Sequence, residues 1–231
     1  MRQRVFAQNP QTLSQKNGCR YKRLRKRPRY APNAEEYADK VESLAMLEHL
    51  AEQGAIDLFY GDEANVSERA TVPYAWQFPE EQYTAFMPTA QGASLTCFAF
   101  VSRDNRSHIA TTEGRINAQF VYEQLDLLAF SIAKPTVVVL DNATPHKAKL
   151  IEHARDGWAE RGLTIFYLPR YSPHLNITEH LWKHLKYFWL TAEMYVSTQV
   201  LFYHVRLALA AFGTLLTIEF SPFGVQLNGS I

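Results

Sequence analysis

Three carboxylates lie where regular elements of this chain are predicted to begin or end. Asp62 follows the run "IDLFYG", Asp141 follows the run "VVVL", and Glu179 lies near the start of a helix predicted over 176–190. Such elements would bring the three side chains together, because sites in α/β sheets form at the carboxyl ends of strands. Like charges raise one another's pKa, so the cluster is costly unless a divalent cation neutralises it. Oxygen ligands favour Mg²⁺ or Mn²⁺ over Zn²⁺.

The stretch "VVVLDNATPHKAK" (137–149) surrounds the second acid. Its first four residues are a β-branched and aliphatic run, which is typical of a strand buried on both faces. Thr144 and Pro145 then predict a helix start, with the threonine as N-cap and the proline at the first helical position. The predicted order is strand, acidic tip, helix. Asp141 and Asn142 are also common turn formers, so a turn fits this stretch equally well.

The other two acids each have a structural alternative. Asp62 alone could be a turn acid, and Asp57 or Glu63 could take its role. Asn176 and Glu179 have the Asn-x-x-Glu spacing of a capping box, in which the Glu side chain closes the helix start. The metal-site hypothesis therefore depends on the set of three acids rather than on any one of them.

The helix predicted over 176–190 has two distinct sides. Four apolar residues at helical spacing form its predicted core stripe: Ile177, Leu181, Leu185 and Phe188. The opposite side carries Glu179 together with Trp182, Lys183 and Lys186. One carboxylate therefore shares a helix side with two lysines and a tryptophan.

The first 30 residues are strongly basic. They contain ten of the chain's 24 Lys and Arg residues and no Asp or Glu, which leaves 14 basic residues against 23 acidic ones in the remainder. The stretch "RYKRLRKRPR" includes Arg23, Arg25, Lys26 and Arg27, and it is typical of a nucleic-acid-binding arm or the basic end of a DNA-binding helix. The alternative is a solvated basic tail, but the acidic remainder does not need this run for solubility.

The remaining pattern predicts an α/β fold. Runs rich in aromatic and β-branched residues predict strands over 56–64, 72–78, 83–89, 93–103, 107–114, 136–140 and 163–169. Apolar spacing predicts helices over 34–54, 116–132, 145–161, 176–190 and 197–212, with Gly54 as a C-cap. Antiparallel strands followed by a β-α-β unit and terminal helices predict one mixed sheet with helices on both faces. A short basic helical segment would precede it.

Composition argues against several classes of protein. Cys19 and Cys97 give neither a disulfide framework nor a zinc-binding spacing, which favours a reducing cytosol. The basic N-terminus is not followed by the apolar segment of a signal peptide. The longest apolar stretch, 200–218, contains His204 and Arg206, so we expect no membrane span.

Two motifs and their spacing resemble a known family. "LDNATPHKAK" (140–149) and "LPRYSPHLNITEHLWKHLK" (168–186), preceded by "LFYGDEA", are similar to the catalytic domain of the mariner-like bacterial insertion-sequence transposases. These enzymes belong to the DDE superfamily, whose fold is ribonuclease-H-like. The resemblance covers about residues 55–215 and places the family's triad on Asp62, Asp141 and Glu179. The 37 residues between the last two acids fit the family's short interval.

The resemblance implies a metal-dependent DNA transposase. The triad would hold two Mg²⁺ or Mn²⁺ ions, with Asp62 bridging both. Water would cut a phosphodiester at the element's end, and the freed 3′-hydroxyl would then attack target DNA. Positioning and charge neutralisation supply most of the catalysis in such in-line phosphoryl transfers. The expected partner is double-stranded DNA, as transposon ends and target, bound by a homo-oligomer at the nucleoid in a bacterial cytoplasm.

The resemblance also implies roles for residues near the triad. Lys183 and Lys186 would contact phosphates, and Asn142 is a further candidate for DNA binding. Trp182 would either stack on DNA or pack in the core. His146 would contact DNA, order the surroundings of Asp141, or be an ordinary surface histidine of a helix.

The sequence departs from the family pattern before the third acid. Pro169-Arg170 stands where the family has Pro-Pro, and Ile177-Thr178 stands where it has Pro-Ile. Only about 55 residues precede the catalytic domain, whereas family members have two helix-turn-helix units there. We therefore expect a truncated copy or the second half of a split gene.

The expected organisation has three parts. They are a basic segment with a connecting helix (1–54), a DDE catalytic domain (55–215) and a C-terminal tail (216–231). Two alternatives to an active transposase remain open at this point. One is a non-catalytic, DNA-binding remnant of a transposase, and the other is a ribonuclease-H-like hydrolase of RNA–DNA hybrids.

Overall fold

The computed structural model describes residues 34–68 and 93–224. Its strands are β1 (Asp57–Ser67), β2 (Ser94–Val101), β3 (Ser107–Thr112), β4 (Thr136–Leu140) and β5 (Leu163–Tyr167). Its α-helices are α1 (Ala34–Glu52), α2 (Ala118–Ser131), α3 (Lys149–Glu160), α4 (Thr178–His184) and α5 (Thr198–Ala211). Shorter 3-10 turns lie at Thr144–Lys147, Pro173–Leu175 and Ala192–Tyr195, and a π-helical turn lies at Leu185–Trp189.

The described strands form one mixed sheet in the order β3-β2-β1-β4-β5. Residues 60–67 of β1 pair antiparallel with β2. Only residues 57–60 of β1 pair with β4, in parallel, and β4 pairs in parallel with β5. β1 therefore continues past its last pair with β4, and β2 is the described strand that pairs with it there. The predicted mixed sheet is confirmed.

The side chains of β1 alternate between the two faces of the sheet, and each face has its own hydrophobic core. Tyr60 and Val66 pack on one face with residues of α1, α4 and α5, and we call it the α1 face. Phe59 packs on the other with residues of α2 and α3, and we call it the α2 face. Because successive side chains of a strand point to opposite faces, Asp62 belongs to the α1 face and Glu63 to the α2 face. Helices cover both faces, as predicted.

A buried polar cluster holds α1 on the sheet. Glu48 accepts hydrogen bonds from the hydroxyl of Tyr60 and from Nε of Arg103, the latter at 2.7 Å. Leu44 of the same helix is fully buried. Gly54 follows the helix with a φ of +73°, a left-handed conformation that suits glycine at a helix end, as the sequence predicted.

The helix predicted over 145–161 begins later than expected. Residues 144–147 form a 3-10 turn that has Ala143 as its N-cap and no capping side chain. Ala148 then adopts an extended conformation (φ −65°, ψ 150°), and α3 begins at Lys149. The prediction that Thr144 caps a helix starting at Pro145 is wrong, because the extended Ala148 separates that turn from α3.

The helix predicted over 176–190 changes form along its length. α4 ends at His184, and a π-helical turn follows, closed by the N–H of Leu190, which donates to the C=O of Leu185 (3.1 Å). A π-helical turn holds more residues than an α-helical turn, so the residues after His184 no longer follow the α-helical spacing on which the core stripe was predicted. Phe188, predicted in the core stripe, is therefore 63% exposed, whereas Leu181 and Leu185 are fully buried.

The strands predicted over 72–78 and 83–89 lie outside the described residues. In the ranges that the structure does describe, no helix combines the length and the apolar character that crossing a membrane requires.

Candidate active site

The three predicted acids come from three elements that meet at one edge of the sheet. Asp62 lies in β1, two residues beyond its last pair with β4, and Asp141 directly follows β4. Glu179 is the second residue of α4. All three line one cleft of about 450 Å³. The prediction that Asp62 ends its strand is wrong: β1 continues to Ser67, because β2 pairs with it where β4 has stopped.

Hydrogen bonds fix the start of α4 to the backbone of β1. Asn176 donates from Nδ2 to the C=O of Gly61 (3.0 Å), and the hydroxyl of Thr178 donates to the C=O of Tyr60 (2.8 Å). These bonds bring Glu179 next to Asp62. The capping-box interpretation of Glu179 is wrong, because the N–H of Asn176 donates to the C=O of Pro173 (2.9 Å) and α4 begins two residues later.

Asp62 occupies an electrostatically unfavourable position. Its pKa is raised from 3.8 to about 7, first by burial and then by the negative charges of Glu179, Glu63 and Asp141. Its Oδ2 accepts a hydrogen bond from Nε1–H of Trp182 (3.1 Å). A carboxylate in such surroundings favours binding either a proton or a cation.

Asp141 is held as an ionised group in a fixed orientation. Its Oδ1 lies 2.7 Å from Nδ1 of His146 and accepts a hydrogen bond from the N–H of Ala143 at 2.8 Å. Burial raises the pKa of the Asp141 carboxyl group, but these two hydrogen bonds and the charge of His146 outweigh it, so the pKa is lowered. The side chain is 52% exposed towards the cleft.

His146 is completely buried. Its ring makes a T-shaped contact with the ring of Phe98, and its Nε2 is 3.6 Å from Oε2 of Glu63. Burial lowers the pKa of His146, but the hydrogen bond with Asp141 and the nearby carboxylates reverse this, so the pKa is raised. The surface-histidine alternative is wrong, and a fully buried ring makes no direct contact with DNA. Of the three predicted roles, only the ordering of Asp141 fits this position.

The residues that follow Glu179 include two lysines and a tryptophan that packs in the core. Burial raises the pKa of Glu179, and the charge of Lys186 opposes this rise. Lys186 is half-buried and Lys183 is exposed. Trp182 is 4% exposed and packs in the core of the α1 face. Of its two predicted roles, packing fits the structure and stacking on DNA does not.

Asn142 lines the cleft and donates from Nδ2 to the C=O of Leu168, which ties the segment after β4 to the segment after β5. The other residues predicted to bind DNA lie outside the described part of the chain: Arg23, Arg25, Lys26 and Arg27.

Sequence reasoning missed two residues that line the cleft, Arg170 and Tyr171. Tyr171 is 53% exposed and has a φ of +60°, which is uncommon for a residue other than glycine. No sequence signal marks a left-handed tyrosine. Arg170 is exposed and was recognised only as a departure from the family pattern, although an arginine this close to the third acid is a candidate phosphate contact.

The cleft fits a divalent cation by residue type and by charge. Its acids offer carboxylate oxygens, which Mg²⁺ and Mn²⁺ prefer as ligands. The charges of Glu179 and Asp141 disfavour ionisation of Asp62, and a cation would relieve that repulsion. Within residues 34–68 and 93–224, no three His, Cys, Asp or Glu side chains converge tightly enough to form a ready-made metal cluster.

Comparison with known proteins finds one matching family and several solved structures with a similar fold. Residues 57–200 match the family described as DDE superfamily endonuclease. The Mos1 strand transfer complex is similar with a TM-score of 0.55 and 16% identity, over 87% of this chain and 62% of that chain. The Mos1 transposase paired-end complex with the left transposon end has a TM-score of 0.58 and 14% identity, over 89% and 67% of the two chains. No curated protein matches the sequence.

A third similar structure is the mariner Mos1 paired-end complex with Mg, with a TM-score of 0.55 and 16% identity, over 89% of this chain and 67% of that chain. This chain thus spans less than two thirds of the chain in the strand transfer complex. Likeness at these identities shows a shared fold, which confirms the predicted ribonuclease-H-like class. The bacterial insertion-sequence origin stays a prediction. Because the family match covers more than half of the sequence, the chain belongs to the DDE superfamily endonuclease family.

Proposed function

We propose that this chain is the catalytic part of a DNA transposase, which cuts phosphodiester bonds and transfers DNA strands with the help of divalent metal ions. One observation carries the proposal. Asp62, Asp141 and Glu179 come from three separate elements to line one cleft, where burial and neighbouring carboxylates raise the pKa of Asp62 to about 7. Carboxylates gathered in one cleft repel one another, and a bound cation removes that cost.

The three acids would hold two Mg²⁺ or Mn²⁺ ions, as the oxygen ligands imply. Such ions activate the attacking oxygen and stabilise the leaving oxygen of an in-line displacement. Paired-end complexes of the mariner Mos1 transposase with Mg and with Mn are among the similar structures, which supports the same choice of metal here.

The chain's own residues supply orientation. His146 and the N–H of Ala143 hold Oδ1 of Asp141, and the indole of Trp182 holds Oδ2 of Asp62. Asn176 fixes the start of α4 to β1. Because acids held in this way need little reorganisation during the reaction, they suit a reaction whose catalysis depends on positioning and charge stabilisation.

The substrate in this proposal is double-stranded DNA, both as transposon ends and as target. Four groups are best placed to meet DNA: Arg170 and Tyr171 line the cleft, Lys183 lies on α4 with Glu179, and Lys186 lies on the π-helical turn that follows α4. Arginine and lysine pair with phosphate oxygens. We further propose that the chain acts as a homo-oligomer on paired ends, in the compartment that contains the chromosome.

Nicking of supercoiled plasmid tests the proposal. We expect the wild-type chain to nick with Mg²⁺ or Mn²⁺ and not with EDTA. Asp62→Asn, Asp141→Asn and Glu179→Gln should each remove nicking while leaving the protein folded. The matched control is Asp126→Asn, because Asp126 also accepts an indole N–H, from Trp158, but lies on α2 away from the cleft.

Three outcomes contradict the proposal. Nicking that survives in the triad variants would show that the acids do not carry the reaction. A folded wild-type chain that binds DNA but never nicks would favour the alternative of a truncated, non-catalytic remnant. Cleavage confined to RNA–DNA hybrids would instead indicate a ribonuclease.

A further inference from the structure

Glu63 has a position that the proposed triad does not explain. It follows Asp62 directly in β1, so the two side chains leave the strand on opposite faces. Asp62 meets Trp182 on the α1 face, whereas Glu63 meets His146, whose ring lies against Phe98 on the α2 face. β1 therefore places one carboxylate on each face of the sheet, at the end of the sheet where Asp141 lies.

His146 links these two sides. Its Nδ1 is 2.7 Å from Oδ1 of Asp141, and its Nε2 is 3.6 Å from Oε2 of Glu63. The second distance suits an ion pair and is longer than a hydrogen bond. Nε2 of His146 and Oε2 of Glu63 are both buried, and neither atom has a hydrogen-bond partner within the described residues. A buried polar atom without a hydrogen-bond partner destabilises the fold, so the attraction between Glu63 and His146 favours keeping the two side chains close together.

The backbone around His146 is also fixed. The hydroxyl of Tyr167 at the end of β5 donates to the C=O of His146 (2.6 Å). His146 itself is fully buried. The imidazole is therefore a rigid connection, while the Asp141 carboxylate that it holds is half-exposed on a short segment after β4. Without that connection only the N–H of Ala143 would hold the Asp141 side chain in place.

We propose that Glu63 is a positioning residue of the active centre, which acts through His146 to hold the carboxylate of Asp141 in the orientation that metal binding requires. This inference rests on the proposed function, since it takes Asp141 to be a metal ligand. Groups that orient metal ligands from behind typically change metal affinity about 10–100-fold when they are removed. Glu63 has no direct contact with the metal in this account.

A double-mutant cycle read by Mn²⁺ affinity separates this role from direct ligation. Glu63→Ala should weaken Mn²⁺ binding about 10–100-fold. Glu63→Gln keeps an acceptor oxygen for the imidazole and should recover most of that loss. His146→Asn keeps an N–H donor near the position of Nδ1 but cannot reach Glu63, so adding Glu63→Ala to it should change the affinity by less than about twofold.

The imidazole signals of the metal-free protein give a readout that does not depend on metal or activity. Nitrogen-15 NMR records the ring nitrogens of the eight histidines, and the signal lost in His146→Asn assigns the one of interest. Glu63→Ala should shift the His146 ring nitrogens. The matched control is Asn65→Ala, because Asn65 is exposed on the same strand and the same face, two residues further on. It should leave both that signal and Mn²⁺ affinity unchanged.

Each contrary result has a separate meaning. Wild-type Mn²⁺ affinity in Glu63→Ala, or an unshifted His146 signal, overturns the inference while the triad stands. Equal losses in Glu63→Ala and Glu63→Gln that persist in the His146→Asn background overturn it in favour of direct ligation by Glu63. Failure of the wild-type chain to bind Mn²⁺ contradicts the proposed function and removes the inference with it.

Discussion

Two aspartates of this chain accept the same kind of hydrogen bond in opposite electrostatic surroundings. Asp62 accepts Nε1–H of Trp182 and Asp126 accepts Nε1–H of Trp158, both at 3.1 Å. Asp126 also pairs with Arg161 at 2.7 Å, and its pKa is lowered by the indole bond and the arginine. Asp62 faces carboxylates, and its pKa is raised to about 7. Of these two arrangements, only that of Asp62 lowers the stability of the protein when no cation is bound.

We therefore predict that Asp62→Asn stabilises the metal-free protein at pH 8 by roughly 0.5–2 kcal/mol, because it removes the repulsion and keeps a side-chain oxygen. The folded state binds the Asp62 proton more tightly than the unfolded state, so stability is lost as pH rises from about 4 to about 7. The gain should accordingly vanish near pH 4. Asp126→Asn should instead cost about 0.2–1 kcal/mol at pH 8. Thermal unfolding in EDTA measures both, and a destabilised Asp62→Asn at pH 8 would contradict this account.

Residue types predicted the candidate acids but not their surroundings. Asp62, Asp141 and Glu179 stood out because of what precedes or follows each of them in the sequence. The packing of His146 against Phe98 and of Trp182 in the core of the α1 face involves residues from other elements, and no spacing within one element encodes such contacts.

At the scale of elements, the edge of the sheet depends on how the side chain of Leu140, at the end of β4, packs against β1. Gly61 precedes Asp62, and a Cβ at this position would lie 2.5 Å from Cδ2 of Leu140 and 3.0 Å from the ring of Phe100. The C=O of Gly61 also accepts the hydrogen bond from Asn176 that anchors α4. Gly61 therefore leaves room for the side chain of Leu140, the residue directly before Asp141, to pack against β1.

We predict that Gly61→Ala destabilises the protein by about 1–3 kcal/mol, because the new methyl group overpacks Leu140 at the end of β4. Gly157 provides the matched control. It is exposed in α3, and a Cβ there would meet nothing within 4 Å. Gly157→Ala should stabilise by roughly 0.5–1 kcal/mol, since alanine favours helix. Urea unfolding compares the two, and equal effects would show that the space beside Gly61 is not limiting.

Elements with strong local signals were predicted well. The run 136–140 was predicted as a strand and is β4, because continuous β-branched residues have few alternatives. The boundaries of α3 and α4 were predicted poorly. The extended Ala148 and the π-helical turn at 185–189 follow from tertiary packing, for which the local sequence has no signal.

At the scale of the whole molecule, the proposal requires a DNA-binding surface outside the acidic cleft. The basic residues of positions 1–30 are the candidates. Replacing Arg23, Arg25, Lys26 and Arg27 by alanine in the full chain should weaken DNA binding. The slope of log affinity against log salt concentration should fall by up to about 3–4, since each lost phosphate contact removes about 0.9. Fluorescence anisotropy over a salt series measures this slope.

The control for that series replaces two exposed cations of α3, Lys149 and Arg155, by alanine. These residues lie on a helix that carries none of the three acids, so affinity and slope should stay close to those of the wild-type chain. DNA binding that is unchanged by the four N-terminal substitutions would contradict the predicted role of the basic segment.

The arrangement of the three acids is also a property of the whole fold. Asp62 and Asp141 are 79 positions apart in the sequence, and only the parallel pairing of β1 with β4 brings them to one edge. The order of strands in the sheet could not be derived from the sequence of any one element. The family motifs predicted that the three acids meet, because proteins that share these motifs share the fold that brings them together.

The most direct test of the central claim is to map where a bound ion lies along the chain. Fe²⁺ substituted for Mg²⁺ cuts nearby backbone through hydroxyl radicals when ascorbate and peroxide are added. The account predicts three groups of cuts, beside Asp62, Asp141 and Glu179, which excess Mn²⁺ suppresses together and which Asp62→Asn removes together. Cuts at only one of the three segments, or cuts that Mn²⁺ does not suppress, would contradict a shared metal site.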